Sequence, residues 1–230
     1  MADINTDDLI IQAIKDKACL KRNVFENLLD QWSKFKEVIK NYHNSIEDDV
    51  KKFDKRIRTE FTSRGDYACR LTVGGDTLIF HMHTNVFQFD AGSHVWKTGY
   101  IKEDEERSFV GVIHVYNFLY DSLSMNRVND LGYMIGRIFI NKDNHFLVEG
   151  KRQLGYLFND FIHNEFTEEK MKEIIQSALL YTLGFDLYVP PYNQIQVLTV
   201  SEILELSSDL KIQTGKRLGF EFSSGNMEMK

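Results

Sequence analysis

Cysteine and proline are both scarce in this chain of 230 residues, which contains two of each. Cys19 and Cys69 do not make a disulfide framework, and we expect both to be reduced and structural, as in a reducing compartment. No apolar run approaches the ~18 residues of a membrane-spanning helix. The acidic first residues lack the positive charge and the long apolar stretch of a signal peptide. The sequence therefore predicts a cytoplasmic protein without a membrane anchor.

Positive charge is not in excess either. Lys and Arg number 28 and Asp and Glu number 34, which gives a net charge of −6. Because nucleic-acid phosphates are bound by clustered Lys and Arg, this balance argues against a nucleic-acid partner. There is no G-x-S-x-G motif and neither cysteine lies in a catalytic signature, so the sequence leaves open whether the protein is an enzyme.

An apolar stripe runs through the first quarter of the chain, where no proline or glycine interrupts it. Its members recur every three or four residues, which is the period of one helix face. They are Phe25, Leu28, Trp32, Phe35, Ile39, Tyr42, Ile46, Val50, Phe53, Ile57 and Phe61. A continuous helix over 25–61 would be about 55 Å long, and its apolar face must be covered. Two structures could cover this face: the chain's own sheet and C-terminal helices, or a second subunit in a coiled-coil arrangement.

From Tyr67 the apolar period changes to two, which is typical of a half-buried strand. A Gly74-Gly75 turn would place Leu71 opposite Leu78 and Cys69 opposite Phe80 in a hairpin. A second hairpin is predicted around 142–144, and helices are predicted after 154 and after 167. Further candidate strands are Val95–Ile101, Phe109–Phe118, Ile195–Val200, Leu210–Thr214 and Leu218–Phe222.

Together these patterns predict an α+β fold with a long N-terminal helical arm, an antiparallel sheet of about five to seven strands, and C-terminal helices packed on the sheet. The expected division is an arm over 1–63, an α+β domain over 64–222 and a flexible tail over 223–230.

Three histidines form the first candidate site. His81 and His83 alternate on a predicted strand, so their side chains point to the same face, and His114 lies on another predicted strand. Three neutral imidazoles would suit zinc, iron, copper or nickel. The competing interpretation is that the histidines lie on a solvated sheet face and bind neighbours or water.

A basic group forms the second candidate. Arg137, Lys151 and Arg152 could bind phosphate or another small anion, although no glycine-rich phosphate loop accompanies them. Arg127, Lys216 and Arg217 belong to the same basic set. A simpler interpretation of Arg137 is a cross-strand ion pair with Glu149 in the second hairpin.

Three functions follow as expectations. The first is an interaction or regulatory module that self-associates or docks on another protein through its long helix; the interface residues would be Phe25, Leu28, Trp32, Phe35, Ile39 and Tyr42. The second is a metal-dependent enzyme or metal-binding protein that uses the three histidines. The third is a sensor of a small anionic ligand such as a nucleotide. The sequence identifies no cofactor.

Overall fold

The computed structural model describes residues 5–187 together with 189, 191–192, 196–197 and 199–200. Within this part, a long N-terminal helix precedes a seven-stranded antiparallel sheet and further helices, so the predicted α+β fold is confirmed. The candidate strand at 195–200 lies partly outside the described residues. The candidate strands at 210–214 and 218–222, the tail at 223–230, Lys216 and Arg217 lie wholly outside them. The division into 1–63, 64–222 and 223–230 stays a prediction.

The N-terminal helix is built from two α-helical stretches joined by a π-helical turn at Ile14–Ala18. The helices are α1 (Thr6–Ala13), α2 (Cys19–Phe53), α3 (Gly99–Glu103), α4 (Tyr120–Ser124), α5 (Gln153–Leu157) and α6 (Glu168–Leu183). Short 3₁₀ helices occupy His94–Lys97 and Glu105–Ser108. Among the described residues, no helix combines the length and apolar character needed to cross a membrane.

The long helix ends eight residues before the predicted position, at Phe53. Asp54 turns the chain with an extended backbone, and its carboxylate accepts a hydrogen bond from the N–H of Arg56 at 2.9 Å. Phe61 consequently lies in the first strand, opposite Leu71. The apolar stripe therefore continues from the long helix into the first strand. The spacing of its last members fits a helix face and a strand face equally well.

The strands of the sheet are β1 (Thr59–Arg64), β2 (Ala68–Val73), β3 (Asp76–Met82), β4 (Phe87–Gln88), β5 (Phe109–Leu119), β6 (Tyr133–Asn141) and β7 (Phe146–Gly150). Their order in the sheet is β1-β2-β3-β5-β6-β7, and β4 pairs with the first residues of β5. Leu71 pairs with Leu78 and Cys69 with Phe80, as the first predicted hairpin requires.

Helix α2 packs along one face of this sheet, here called the inner face. Leu28, Trp32, Phe35 and Ile39 are at most 1% exposed. The ring of Phe35 meets that of Phe80 edge-on at 5.4 Å, and the indole N–H of Trp32 donates to the carbonyl of Asp66 at 2.7 Å. The chain's own sheet therefore covers the stripe.

This packing corrects the predicted interface. Leu28, Trp32, Phe35 and Ile39 are buried within the chain and present no surface to a second subunit. Phe25 and Tyr42 are partly buried against the same core. The coiled-coil covering of this stripe is replaced by packing of the helix on the sheet and beside α6, whose Met171 and Ile174 belong to the same core.

The opposite, outer face of the sheet carries a second, smaller core. The segment between β3 and β5 folds over this face and buries Val95 and Ile101 against Val110, Leu147 and Phe161. The candidate strand Val95–Ile101 is instead a 3₁₀ helix followed by α3, with Thr98 capping α3. Beside this small core the outer face opens into a cleft.

Candidate functional site

A cleft of about 950 Å³ opens on the outer face of the sheet. Its floor is apolar and consists of Val110, Val112, Phe139 and Leu147 from three neighbouring strands. One side is formed by residues within 87–94, after β3, and the other by residues within 152–159, around α5. This volume is within the range of small-molecule binding sites.

His83 enters the cleft at the end of β3. Its backbone N–H donates to the carbonyl of Val112 at 2.8 Å, which extends the pairing of β3 with β5 by one residue. Its Nδ1 lies 3.0 Å from the backbone N of Asn85, and that N–H can only donate. The neutral ring therefore carries its proton on Nε2. The ring packs edge-on against Phe87 at 4.8 Å.

His114 lies at the centre of the outer face. It pairs with His81 on β3 and with Arg137 on β6. Its ring centroid is 6.1 Å from that of His83 and 6.4 Å from that of His81. Partial burial lowers the pKa of His114, and the neighbouring charges of His83, His81 and Arg137 lower it further. Both effects favour the neutral form of His114.

Arg137 forms the cross-strand ion pair that the second hairpin predicts. It pairs with Glu149 in the register of β6 and β7, and its Nε donates to Oε2 of Glu149 at 2.7 Å. The guanidinium also lies 5.2 Å from the ring centroid of Phe139. The side chains are 42% and 61% exposed, and an exposed pair contributes only about 0–1 kcal/mol. A bound anion can therefore compete with Glu149 for this guanidinium.

Arg152 occupies a backbone conformation that L residues rarely adopt, with φ 47° and ψ −120°. Such a conformation costs on the order of 1–3 kcal/mol and is often found where a side chain serves a ligand. The guanidinium carbon lies 5.3 Å from the ring centroid of Phe185 and 5.9 Å from that of Tyr181. Arg152 lines the cleft on the α5 side.

The cleft combines parts of both sites that the sequence suggested. His83 and His114 from the histidine group line it together with Arg137 and Arg152 from the basic group. His81 and Lys151 are not among its lining residues. Lys151 is nevertheless adjacent in the chain, and its backbone N–H donates to the carbonyl of Ile135 at 3.0 Å.

The metal site stays a prediction. In the described part of the chain, no three His, Cys, Asp or Glu side chains are grouped so as to hold a metal ion. Ligation through Nε2 of His83 would also require Nδ1 to carry the proton, and Nδ1 already accepts from Asn85. The geometry favours His83 as a hydrogen-bond donor to a ligand.

Sequence reasoning missed several lining residues, among them Phe139, His94 and Tyr156. Phe139 had a usable signal, because it lies two residues from Arg137 on a predicted strand and shares its face. His94 and Tyr156 had none, since tertiary packing alone brings their segments to the cleft.

The chain has no match among protein-family models, curated proteins or solved structures.

Proposed function

We propose that the chain binds a small anionic ligand that also carries an aromatic ring, and that a nucleotide is the class that fits best. The observation that carries this proposal is that one cleft is lined by two arginines and two histidines above an apolar floor. They are Arg137, Arg152, His83 and His114.

The charged groups suit the anionic part of such a ligand. Arg137 and Arg152 each present planar N–H donors, which match phosphate or carboxylate oxygens. Nε2–H of His83 adds a neutral donor. Two acidic residues line the cleft: Glu149 bonds Arg137 weakly enough for an anion to displace it, and Asp90 accepts from the N–H of Gly92 at 2.9 Å.

The apolar surfaces suit the ring. Phe139 and Leu147 form part of the floor, while Phe87 and Tyr156 line opposite sides. Aromatic faces at a binding site stack on flat ligands and add about 0.5–1.5 kcal/mol for each ring pair beyond area burial. A ligand with both parts would therefore bind better than either part alone.

The test is titration calorimetry with three probes: adenosine monophosphate, adenosine and inorganic phosphate. We expect the monophosphate to bind most tightly, with both fragments at least about ten-fold weaker. Arg152→Gln should weaken monophosphate binding at least about ten-fold. Arg22→Gln is the matched control, because Arg22 is exposed on α2, pairs with Glu26 and is not a lining residue.

Two results would count against the proposal. One is the absence of binding for all three probes and for a wider panel of nucleotides and phosphorylated metabolites. The other is binding that Arg152→Gln and Arg22→Gln change equally, since the ligand would then lie outside the cleft.

A further inference from the structure

The N-terminal helix extends beyond the body of the protein. Every residue from 5 to 19 is exposed, and the first buried residue of the helix is Leu20, which packs with Val24 against Phe109. We call residues 6–18 the overhang. The large apolar side chains of the overhang are 52–62% exposed: Leu9, Ile10, Ile11 and Ile14.

This exposure is unusual for a surface helix. A helix normally buries its apolar side, as α2 does on the sheet. On the overhang, Leu9, Ile10, Ala13 and Ile14 follow the spacing of one helix side, yet no residue of α1 or of the π-helical turn is buried. An apolar stripe of this kind indicates a surface that another helix covers.

Most of the charges of the overhang are separated along its axis, with Asp16 between the two lysines as the exception. Asp7 and Asp8 lie in the first turn, and Lys15 and Lys17 lie in the last turn. Among the described residues, no ion pair involves any of these four side chains. Asp16, by contrast, accepts from the side chain of Gln12 at 2.8 Å.

We propose that the overhang pairs with the overhang of a second copy, antiparallel, about a two-fold axis close to Gln12. Asp7, Ile10 and Ile14 are spaced three and four residues apart, so they lie along one side of the helix, and Lys17 follows three residues later in the π-helical turn. Antiparallel pairing puts Ile10 against Ile14 of the partner subunit and Asp7 against Lys17 of the partner subunit. Because the axis is two-fold, each contact is made twice.

Charge selects this arrangement and this occupant. A parallel pair would place Asp7 beside Asp7 of the partner subunit and Lys17 beside Lys17 of the partner subunit, which is repulsive. In the antiparallel pair the opposite ends attract, and so do the two helix dipoles. The overhang is thus complementary to itself along this side, where a second copy covers Ile10 and Ile14 and pairs Asp7 with Lys17.

The expected dimer is weak. Two helical segments of this length bury less than the ~1,200–2,000 Å² of a stable protein interface. The assembly should therefore be a monomer–dimer equilibrium that depends on concentration and weakens with salt. It does not depend on the ligand proposed for the cleft.

Sedimentation equilibrium of the full chain over a range of concentrations provides the test. We expect Ile10→Asp to raise the dimer dissociation constant at least about ten-fold. Asp7→Lys and Lys17→Asp should each weaken the dimer, and the two changes together should restore it. Lys34→Asp is the control, because Lys34 is exposed on α2 away from the overhang and its reversal should leave the equilibrium unchanged.

Thermal unfolding of each variant separates assembly from folding. No residue of the overhang is buried in the described part of the chain, so the variants should keep the wild-type Tm at low concentration. A monomeric wild type at high micromolar concentration overturns the proposal. So does a monomer in which Ile10→Asp lowers Tm, because the chain itself would then cover the overhang. Failure of the double reversal to restore the dimer also overturns antiparallel pairing.

Discussion

The backbone N–H of Asn85 donates a hydrogen bond to Nδ1 of His83 over 3.0 Å. This contact excludes a proton on Nδ1, so a neutral His83 has its proton on Nε2. We expect the ¹⁵N chemical shifts of His83 near neutral pH to be those of the Nε2–H tautomer, measured in a long-range ¹H–¹⁵N spectrum.

The same spectrum tests the metal hypothesis. Addition of one equivalent of zinc should leave the His83 resonances unchanged, and metal analysis after dialysis should find less than stoichiometric zinc. His83→Ala is the comparison that assigns the resonance. An Nδ1–H tautomer, or stoichiometric zinc that is lost in a His81→Ala/His83→Ala variant, would favour metal binding over the anion site.

Arg152 provides a test that separates backbone strain from ligand binding. Its φ of 47° is one that glycine adopts freely, so Arg152→Gly should relieve backbone strain. Arg152→Ala removes the same guanidinium and its ring contacts but keeps the strain. We therefore expect the glycine variant to be more stable than the alanine variant by about 1 kcal/mol in urea unfolding.

Both variants should lose at least about ten-fold in affinity for the monophosphate probe, because both lack the guanidinium. Equal unfolding free energies would show that position 152 carries no strain. Retained affinity in either variant would remove Arg152 from the binding site.

Local signals were sufficient for the parts of the fold that depend on neighbouring residues. Gly74 has φ 62°, as the predicted turn between β2 and β3 requires, and the period-two pattern then determines which residues face each other. The same logic paired Arg137 with Glu149. In both hairpins the turn and the pattern agree, so a short stretch of sequence determines the register.

Long-range packing determines the secondary structure of segments whose sequence pattern is ambiguous. Val95 and Ile101 read equally well as strand residues, but the small core on the outer face buries both and selects a 3₁₀ helix and α3. The segment that closes one side of the cleft, with Phe87 and His94, is placed by these contacts. The two candidate sites were therefore identified separately, and only the fold unites them.

The burial of the helix stripe predicts that a charge there unfolds the protein rather than separating subunits. Ile39 is fully buried between α2 and the sheet, so Ile39→Asp would leave an unpaired charge in the core. We expect it to lower the free energy of unfolding by about 4 kcal/mol or more, measured by urea unfolding. Lys34→Asp, on the exposed side of the same helix, should change it by less than about 0.5 kcal/mol. A well-folded Ile39→Asp protein with a changed oligomeric state would instead support an interface at this stripe.

The two cysteines should differ sharply in reactivity. Cys19 is exposed at the start of α2, whereas Cys69 is fully buried on the inner face, where burial raises the pKa of its thiol to about 12. Because the thiolate is the reactive species, we expect a native sample to titrate one thiol with a disulfide reagent and a denatured sample to titrate two. Cys19→Ser should remove the native reaction, and a fast second thiol in native protein would contradict the packing of α2 over β2.

His114 should make stability depend on pH in a definite direction. Burial and the charges of His83, His81 and Arg137 lower its pKa in the folded protein below the ordinary value of 6.5. Between these two pKa values the unfolded chain binds more protons, so the free energy of unfolding rises with pH. The stability that depends on His114 is therefore fully present above pH 6.5, and it is lost as the pH falls toward the pKa of the folded protein.

His114→Gln keeps a polar side chain of similar size but cannot become charged, so it should reduce this dependence. We expect wild type to lose more unfolding free energy than the variant between about pH 7.5 and pH 5, measured by urea unfolding at constant salt. An anion bound beside Arg137 would oppose the same charges, so saturating monophosphate should raise the pKa of His114 in an NMR titration. Equal pH dependence of the two unfolding free energies would mean that His114 is solvated. An unchanged His114 pKa at saturating monophosphate would place the anion away from the centre of the outer face.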